Sequence, residues 1–382
     1  MKGELFKPIR TLRAVLRFTG MWQDGNQSWT YFILGYLVHF ISIELCLIGE
    51  LICAYKAVNL EDFIETMGLT MTYVSEMLKC WNFFYKLKTI QKTFEILMDL
   101  VEFSADDRWK SRDRLKSQIL VGFKVFKVFW FSAWTTCIFS SLVPFTSHKL
   151  PYKVWFPFDT EKSSFGFWIA SSYLIVTSFP VSVIDISLDT LPVFLLTFAI
   201  GLTNELSDRL DQIGKNNNSS SNGKNIDELN AKEFKKCIEI HSRICEFVVE
   251  IQCNFSKVIM VQGIFSSLIL CMGTFSMSTV SDLSVLFRIT TLMIPMTLEI
   301  FLPCYFGNEL SIASSKLSVA LFHSNWIVGD KNLRNSVKFF MENTKKNMKL
   351  SAFGVFEVNL ATFSRICNSA YSLFAILKRV SN

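Results

Sequence analysis

The sequence predicts an all-α integral membrane protein of seven transmembrane helices. It places the N-terminus in the cytosol, the C-terminus outside, and extends the helices into a cytosolic anchor region. Three observations predict this. Half of the 382 residues are hydrophobic, 19% are charged and 37 are phenylalanine, giving a mean hydropathy of +0.32. A soluble domain needs more charge than that to cover its exterior. The apolar residues also gather in runs that meet the roughly 20 residues a bilayer crossing requires. Finally, 27 of the 39 lysines and arginines fall in segments 1–30, 86–118, 207–243 and 314–351. Only six fall in the alternate segments 56–62, 146–164, 278–283 and 378–382. Cation-rich connections stay in the cytosol, which sets the orientation.

The elements follow in order. Met1 to Gly20 carries Lys2, Lys7, Arg10, Arg13 and Arg17 and no unbroken apolar core, so no secretory signal is expected there. Between those cations Leu5, Phe6, Ile9, Leu12, Val15 and Leu16 recur at helical spacing. Such a helix either lies on an anionic leaflet or packs on cytosolic helices. Spans are expected at 31–55, 63–85, 119–145, 165–206, 244–277, 284–313 and 352–377. Glu65, Glu76 and Lys79 interrupt the second. The fourth is too long for one crossing, and Pro180, Pro192, Asp185 and Asp189 suggest that its later part bends or leaves the membrane. Gly214 to Gly223 is rich in Asn and Ser and reads as a flexible linker. Ile226 to Arg243 is charged, helical in pattern, and expected to run into the fifth span as one long helix. The segments 86–118 and 316–350 share that character, and the three projections would pack into a bundle where subunits meet. The resulting domains are 1–313, 314–351 and 352–382.

Catalysis is not expected. His39, His148, His241 and His323 are scattered, and neither a phosphate-cradling glycine loop nor a nucleophile elbow is present. Cys237, Cys245 and Cys253 share roughly one helical face but lack His or paired-Cys company, which favours small core residues over metal ligands. No cysteine falls in the expected outer loops, so no disulfide framework is implied. The sequons at Asn26, Asn217 and Asn218 fall on the inner side and Asn254 within a span, so none is expected to carry glycan. The last apolar segment carries Glu357, Asn359, Arg365, Asn368 and Ser369. Polar groups there either line an aqueous pore or bond between helices.

Several motifs carry a resemblance. Pro303-Cys304-Tyr305-Phe306-Gly307-Asn308-Glu309-Leu310 precedes Ser324-Asn325-Trp326, then Phe353-Gly354-Val355-Phe356, Thr362-Phe363 and Ala370-Tyr371-Ser372. With the topology, these resemble the insect odorant receptor family. The ending departs from the Thr-Tyr and Gln-Phe signature of the sister gustatory receptors. It also departs from the shared co-receptor, whose large cytosolic insertion is missing. The resemblance therefore implies a ligand-tuning subunit of a tetrameric, non-selective cation channel assembled with the co-receptor. Its other partners would be a small volatile odorant and membrane lipid; nucleic acid and cofactors are not expected. It further implies that the last helix lines the central pore, with a gate at Leu373, Phe374 and Leu377, and that Trp326 to Lys349 anchors subunits together.

The same resemblance puts an odorant pocket in the outer half, on the second, third, fourth and sixth spans. By depth, that selects Thr70, Tyr73, Val74, Phe131, Trp134, Thr135, Ile138, Ile169, Tyr173, Thr291 and Ile294. Together they describe an apolar aromatic cavity with a few hydroxyls. A gustatory receptor would share this architecture. A G-protein-coupled receptor would have the reverse topology, and a transporter would show two repeated halves with broken helices, which Pro180, Pro192, Pro295 and Pro303 do not form.

Overall fold

The computed structural model describes residues 6–23, 29–105, 113–215, 223–280 and 283–381. Its helices are α1 (Lys7–Phe18), α2 (Trp29–His39), α3 (Leu45–Tyr55), α4 (Leu60–Phe103) and α5 (Asp113–Ser147). They continue as α6 (Ser164–Asp211), α7 (Gly223–Thr279), α8 (Leu283–His323), α9 (Lys331–Thr344) and α10 (Leu360–Ser381). Each expected span has its helix. The first is α2 and α3 joined through a π-helical turn, Phe40–Glu44. Such a turn leaves carbonyls off the regular ladder, and the Tyr173 hydroxyl donates to the Ile41 carbonyl at 2.6 Å.

The helices outrun the bilayer. α7 is 57 residues long, about 85 Å at the helical rise. The charged stretch from Ile226 to Arg243 is thus continuous with the fifth span, as its pattern indicated. α4 and α6, at 44 and 48 residues, are extended in the same way. Among the described residues, five stretches qualify as spans by length and hydropathy: Trp29–Tyr55, Arg114–Ser147, Ser164–Asp211, Glu228–Thr279 and Val285–His323. α4 and α10 fall short because they carry Glu65, Glu76 and Lys79, and Arg365 and Lys378.

Pro180 and Pro192 lie inside a single continuous helix, α6. A proline removes one ladder hydrogen bond and crowds the preceding turn, but the helix continues through both, and its length carries the later part beyond one bilayer crossing as expected. From Ile184 to Leu206 nearly every α6 side chain is buried, and its most apolar window is 89% covered by protein, against 28% for α5 and for α7. The length of this apolar run therefore reflects a protein core and not a second layer of lipid.

The last span differs from expectation. Residues 352–359 are not helical. Ser351–Ala352 pairs antiparallel with Phe356–Glu357, turned through Phe353 and Gly354 at φ 51° and 72°. Left-handed backbone suits glycine and is strained at Phe353. The Phe353 amide, in turn, donates to the Ser256 hydroxyl at 2.5 Å. Glu357 pairs with Lys349 at 2.6 Å and so shares no helical face with Arg365. α10 begins afterwards, its first turn capped by the Asn359 carboxamide, which accepts from the Thr362 amide at 3.0 Å. The Cys304–Leu310 motif explains itself here. Cys304 and Phe306 are buried, Phe301 meets Phe363 edge-on at 5.3 Å, and any Cβ at Gly307 would strike the Val358 carbonyl.

α1 takes the packed alternative. Pro8, Ile9, Leu12 and Leu16 are buried, Phe6 stacks on Phe198 at 6.1 Å, and the helix lies on α6. α9 folds back on α8, and Phe340 meets Phe234 and His241 edge-on at 5.7 and 5.1 Å. All ten cysteines are free thiols. Asn254 is buried and donates to the Thr93 hydroxyl at 2.9 Å, so it offers no acceptor for glycan. The sequons at Asn26, Asn217 and Asn218 and most of the linker lie outside the described residues.

Candidate functional site: two stacked cavities and a buried charge cluster

At the end of the bundle carrying loops 56–62, 146–164 and 278–283, the helices part around an open basin of about 1600 Å³. Phe139, Phe167, Trp168 and Phe287 contribute to its walls. Below it sits a smaller cavity of about 80 Å³ between α4, α5, α7 and α8. Ile64, Gly68 and Leu69 line one side and Ile269, Met272 and Gly273 the opposite side. Ile289, Leu292 and Met293 come from α8 and Ser140 from α5. The walls are apolar, as suits a small molecule held by burial. Glycines make the room: a Cβ on Gly273 would collide with the Met293 side chain, and one on Gly68 would touch Met272 at 3.7 Å. Methionine is unbranched and flexible, so the two thioethers fill that room adaptably.

Four residues line both cavities: Glu65, Tyr152, Lys153 and Arg288. They form the constriction between the two. Glu65 pairs with Arg288 at 3.1 Å through one carboxylate oxygen and with Lys153 at 2.7 Å through the other. Lys153 also pairs with Asp62 at 2.6 Å, and Arg288 donates to the Pro151 carbonyl at 2.9 Å. Burial pushes the Tyr152 phenol up to about 12, opposed by its hydrogen bond with Ser140. Partial burial alone would lower the Lys153 ammonium, but bonds to Asp62 and Glu65 outweigh it and raise it above its usual range. Lys153 therefore stays charged and holds the loop to α4.

Deeper in the bundle, the Lys79 ammonium is gripped by Asp185, by Asp189 at 3.0 Å, Glu299 at 2.8 Å and Glu76 at 3.4 Å. Gln262 donates to Glu299 at 2.7 Å and to Asp189 at 3.1 Å. This cluster ties α4, α6, α7 and α8 together. Oxygens of Asp185, Asp189 and Glu299 lie within 4.8 Å of one another, but Lys79 already fills the space between them and a metal ion has no place there. One residue beyond Gln262, Gly263 lies against Ile366 of α10.

α10 packs on α7 and α8 through one face only. Thr362, Phe363, Ile366, Ala370, Phe374 and Leu377 are buried or half-buried. Arg365, Asn368, Ser369, Ser372 and Ile376 form an exposed stripe on the opposite face. Phe374 and Leu377 thus point toward the bundle, while Leu373 sits at the edge of the exposed face, 37% accessible.

None of the eleven residues selected by depth lines either cavity. Thr70 is buried and bonds the Thr66 carbonyl. Tyr73 and Tyr173 pack around Cys46, Val154 and Leu174, and Val74 is half-buried. Phe131, Ile138, Ile169 and Ile294 are on the outer surface of the chain. Trp134 is partly exposed, its ring near those of Trp130 and Phe179. Thr135 returns its hydroxyl to the Phe131 carbonyl. The Thr291 carbonyl accepts from Thr136 at 2.8 Å. The smaller cavity draws on α4, α5, α7 and α8 and takes no residue from α6; a uniformly apolar helix gives no phase from which to select its inward face. One signal was available: Arg288 is ionisable within a span, which marks a site by default.

Known proteins bear on this arrangement. The model for the 7tm odorant receptor family matches residues 59–371. Odorant receptor 94a of Drosophila melanogaster is 25% identical, over 98% of this chain and 97% of its own length. Odorant receptor Or1 of Anopheles gambiae is 22% identical, over 96% and 94%. The insect olfactory receptor OR5 from Machilis hrabei in complex with eugenol superposes with a TM-score of 0.80 over 98% of both chains, at 18% identity. This chain belongs to the 7tm odorant receptor family.

Proposed function

We propose that this insect odorant receptor is the ligand-tuning subunit of an odorant-gated, non-selective cation channel, completed to a tetramer by the co-receptor. The observation that carries the reading is the polar stripe of α10. Arg365, Asn368, Ser369 and Ser372 share one exposed face on a helix of a multi-pass membrane protein. Such groups are costly against hydrocarbon and belong against water or protein. Four copies of this face around an axis make a wet path. Leu373 and Ile376, nearer the end of the helix, supply the apolar ring that stops ions by excluding water. In this reading the gate shifts by one helix face from Phe374 and Leu377.

The odorant sits in the cavity below Glu65, Tyr152, Lys153 and Arg288, with the basin above it open to the outside. This reading goes with a cytosolic N-terminus and a receptor in the plasma membrane of a sensory dendrite. The OR5 structure with eugenol supports a small, largely apolar volatile. α7 links pocket to pore, since it carries Met272 and Gly273 at the cavity, Gln262 in the charge cluster, and Gly263 against Ile366 of α10. Expression with and without a co-receptor, against a panel of volatiles, tests this. Odorant-evoked cation current only in the paired cells is the expected outcome; volatile-insensitive paired cells with surface-expressed receptor would refute it.

A further inference from the structure

The constriction between basin and cavity also bears on which odorants are taken, an inference that rests on the functional reading above. We infer that Arg288 is the specificity-determining residue of the cavity. It selects neutral odorants that carry a carbonyl or ester oxygen at one end of an apolar body.

The argument starts from unused hydrogen-bonding capacity. A guanidinium has five N–H donors and no acceptor. Arg288 makes two hydrogen bonds, to the Pro151 carbonyl and to Glu65. Glu65 has less in reserve, since Arg288 and Lys153 take two of its roughly four lone-pair sites. Asp62 pairs with Lys153 and lines neither cavity. The spare guanidinium donors outnumber the spare Glu65 lone pairs, so the ceiling favours an acceptor over a donor. Asp62 and Glu65 balance Lys153 and Arg288 in charge, so an ionised ligand would upset a neutral network. A neutral acceptor adds to it without displacing any member.

The rest of the cavity fixes the other end of the ligand. Below the guanidinium lie Ile289, Leu292, Met272 and Met293. A ligand seated with its oxygen upward buries its hydrocarbon against them. A hydrogen bond to a charged donor in an otherwise dry site is stronger than one between neutral groups, and a ligand without an acceptor forfeits it. Discrimination then depends on the oxygen, and size selection on the two methionines.

The experiment uses full-length receptor with its co-receptor in cells. The panel is medium-chain methyl ketones and acetate esters, with terminal alkenes and primary alkylamines of matching length. The unsubstituted receptor should prefer ketones and esters to matching alkenes by about tenfold or more in half-maximal concentration. Arg288→Met should remove that gap while the alkene response persists. Arg288→Lys should keep part of it, since an ammonium still donates. If Arg288→Met fails to reach the surface, Glu65→Gln serves in its place, because weakening the carboxylate partner frees the guanidinium and should widen the gap. A preference that survives in Arg288→Met, an unchanged gap in Glu65→Gln, or an unsubstituted receptor that favours alkylamines would overturn the inference. A complex silent to the whole panel, alkenes included, refutes the functional reading beneath it.

Discussion

On the proposed reading, Met272 and Met293 set the size of what the cavity accepts, since Gly68 and Gly273 leave them space. Met293→Ala should raise the sensitivity to bulkier odorants relative to small ones, and Gly273→Ala should reduce all responses, both read as dose–response curves at matched surface expression. Lys79 has the opposite character. Removing it with Lys79→Met leaves four carboxyl groups buried around an apolar side chain, a loss of about 3–5 kcal/mol by analogy with broken buried pairs. Surface labelling should fall sharply for that variant and stay near normal for Phe131→Ala, whose ring is 75% exposed; equal labelling of the two would contradict this. At this scale the sequence was readable where chemistry breaks a pattern. Arg288 and Lys79 are charges in apolar runs and can be seen without coordinates. Leu69 and Thr70 are neighbours in one apolar helix, and only the coordinates tell which faces the cavity.

The elements were more legible than the residues. Five long apolar helices follow from run length, α4 and α10 are legible despite their charges, and the unbroken α7 follows from helical periodicity that continues across the change from charged to apolar residues. The later half of α6 was legible as too long for a crossing but not as a protein core, because hydropathy does not distinguish a side chain against lipid from one against protein; its buried stretch is as apolar as a span. The hairpin at 351–357 was missed because Phe353, Val355 and Phe356 extend an apolar pattern, and two-residue strands leave almost no periodicity to read. The same hairpin gives Gly307 its role. Gly307→Ala would push the Val358 carbonyl and displace the start of α10. A changed basal current, or reduced surface labelling, is the expected outcome, whereas Gly263→Ala, where the nearest side-chain atom is 3.4 Å away, should act more mildly. Equal and negligible effects at both positions would separate the hairpin from the pore helix.

For the whole molecule, the proposed orientation rests on cation placement. An N-terminal tag should be reached by antibody only in permeabilised cells and a C-terminal tag in intact cells; the reverse staining would invert the basin and the pocket with it. On the proposed reading the polar stripe of α10 walls an ion path, which thiol accessibility can probe. Odorant-evoked current is recorded from the receptor with its co-receptor, before and after a charged thiol reagent, with Asn368→Cys, Ser372→Cys or Phe374→Cys in place and the unsubstituted chain as control. Lasting block is expected at 368 and 372, and little beyond control at 374. Block at 374 alone, or none at 368 and 372, would contradict that reading.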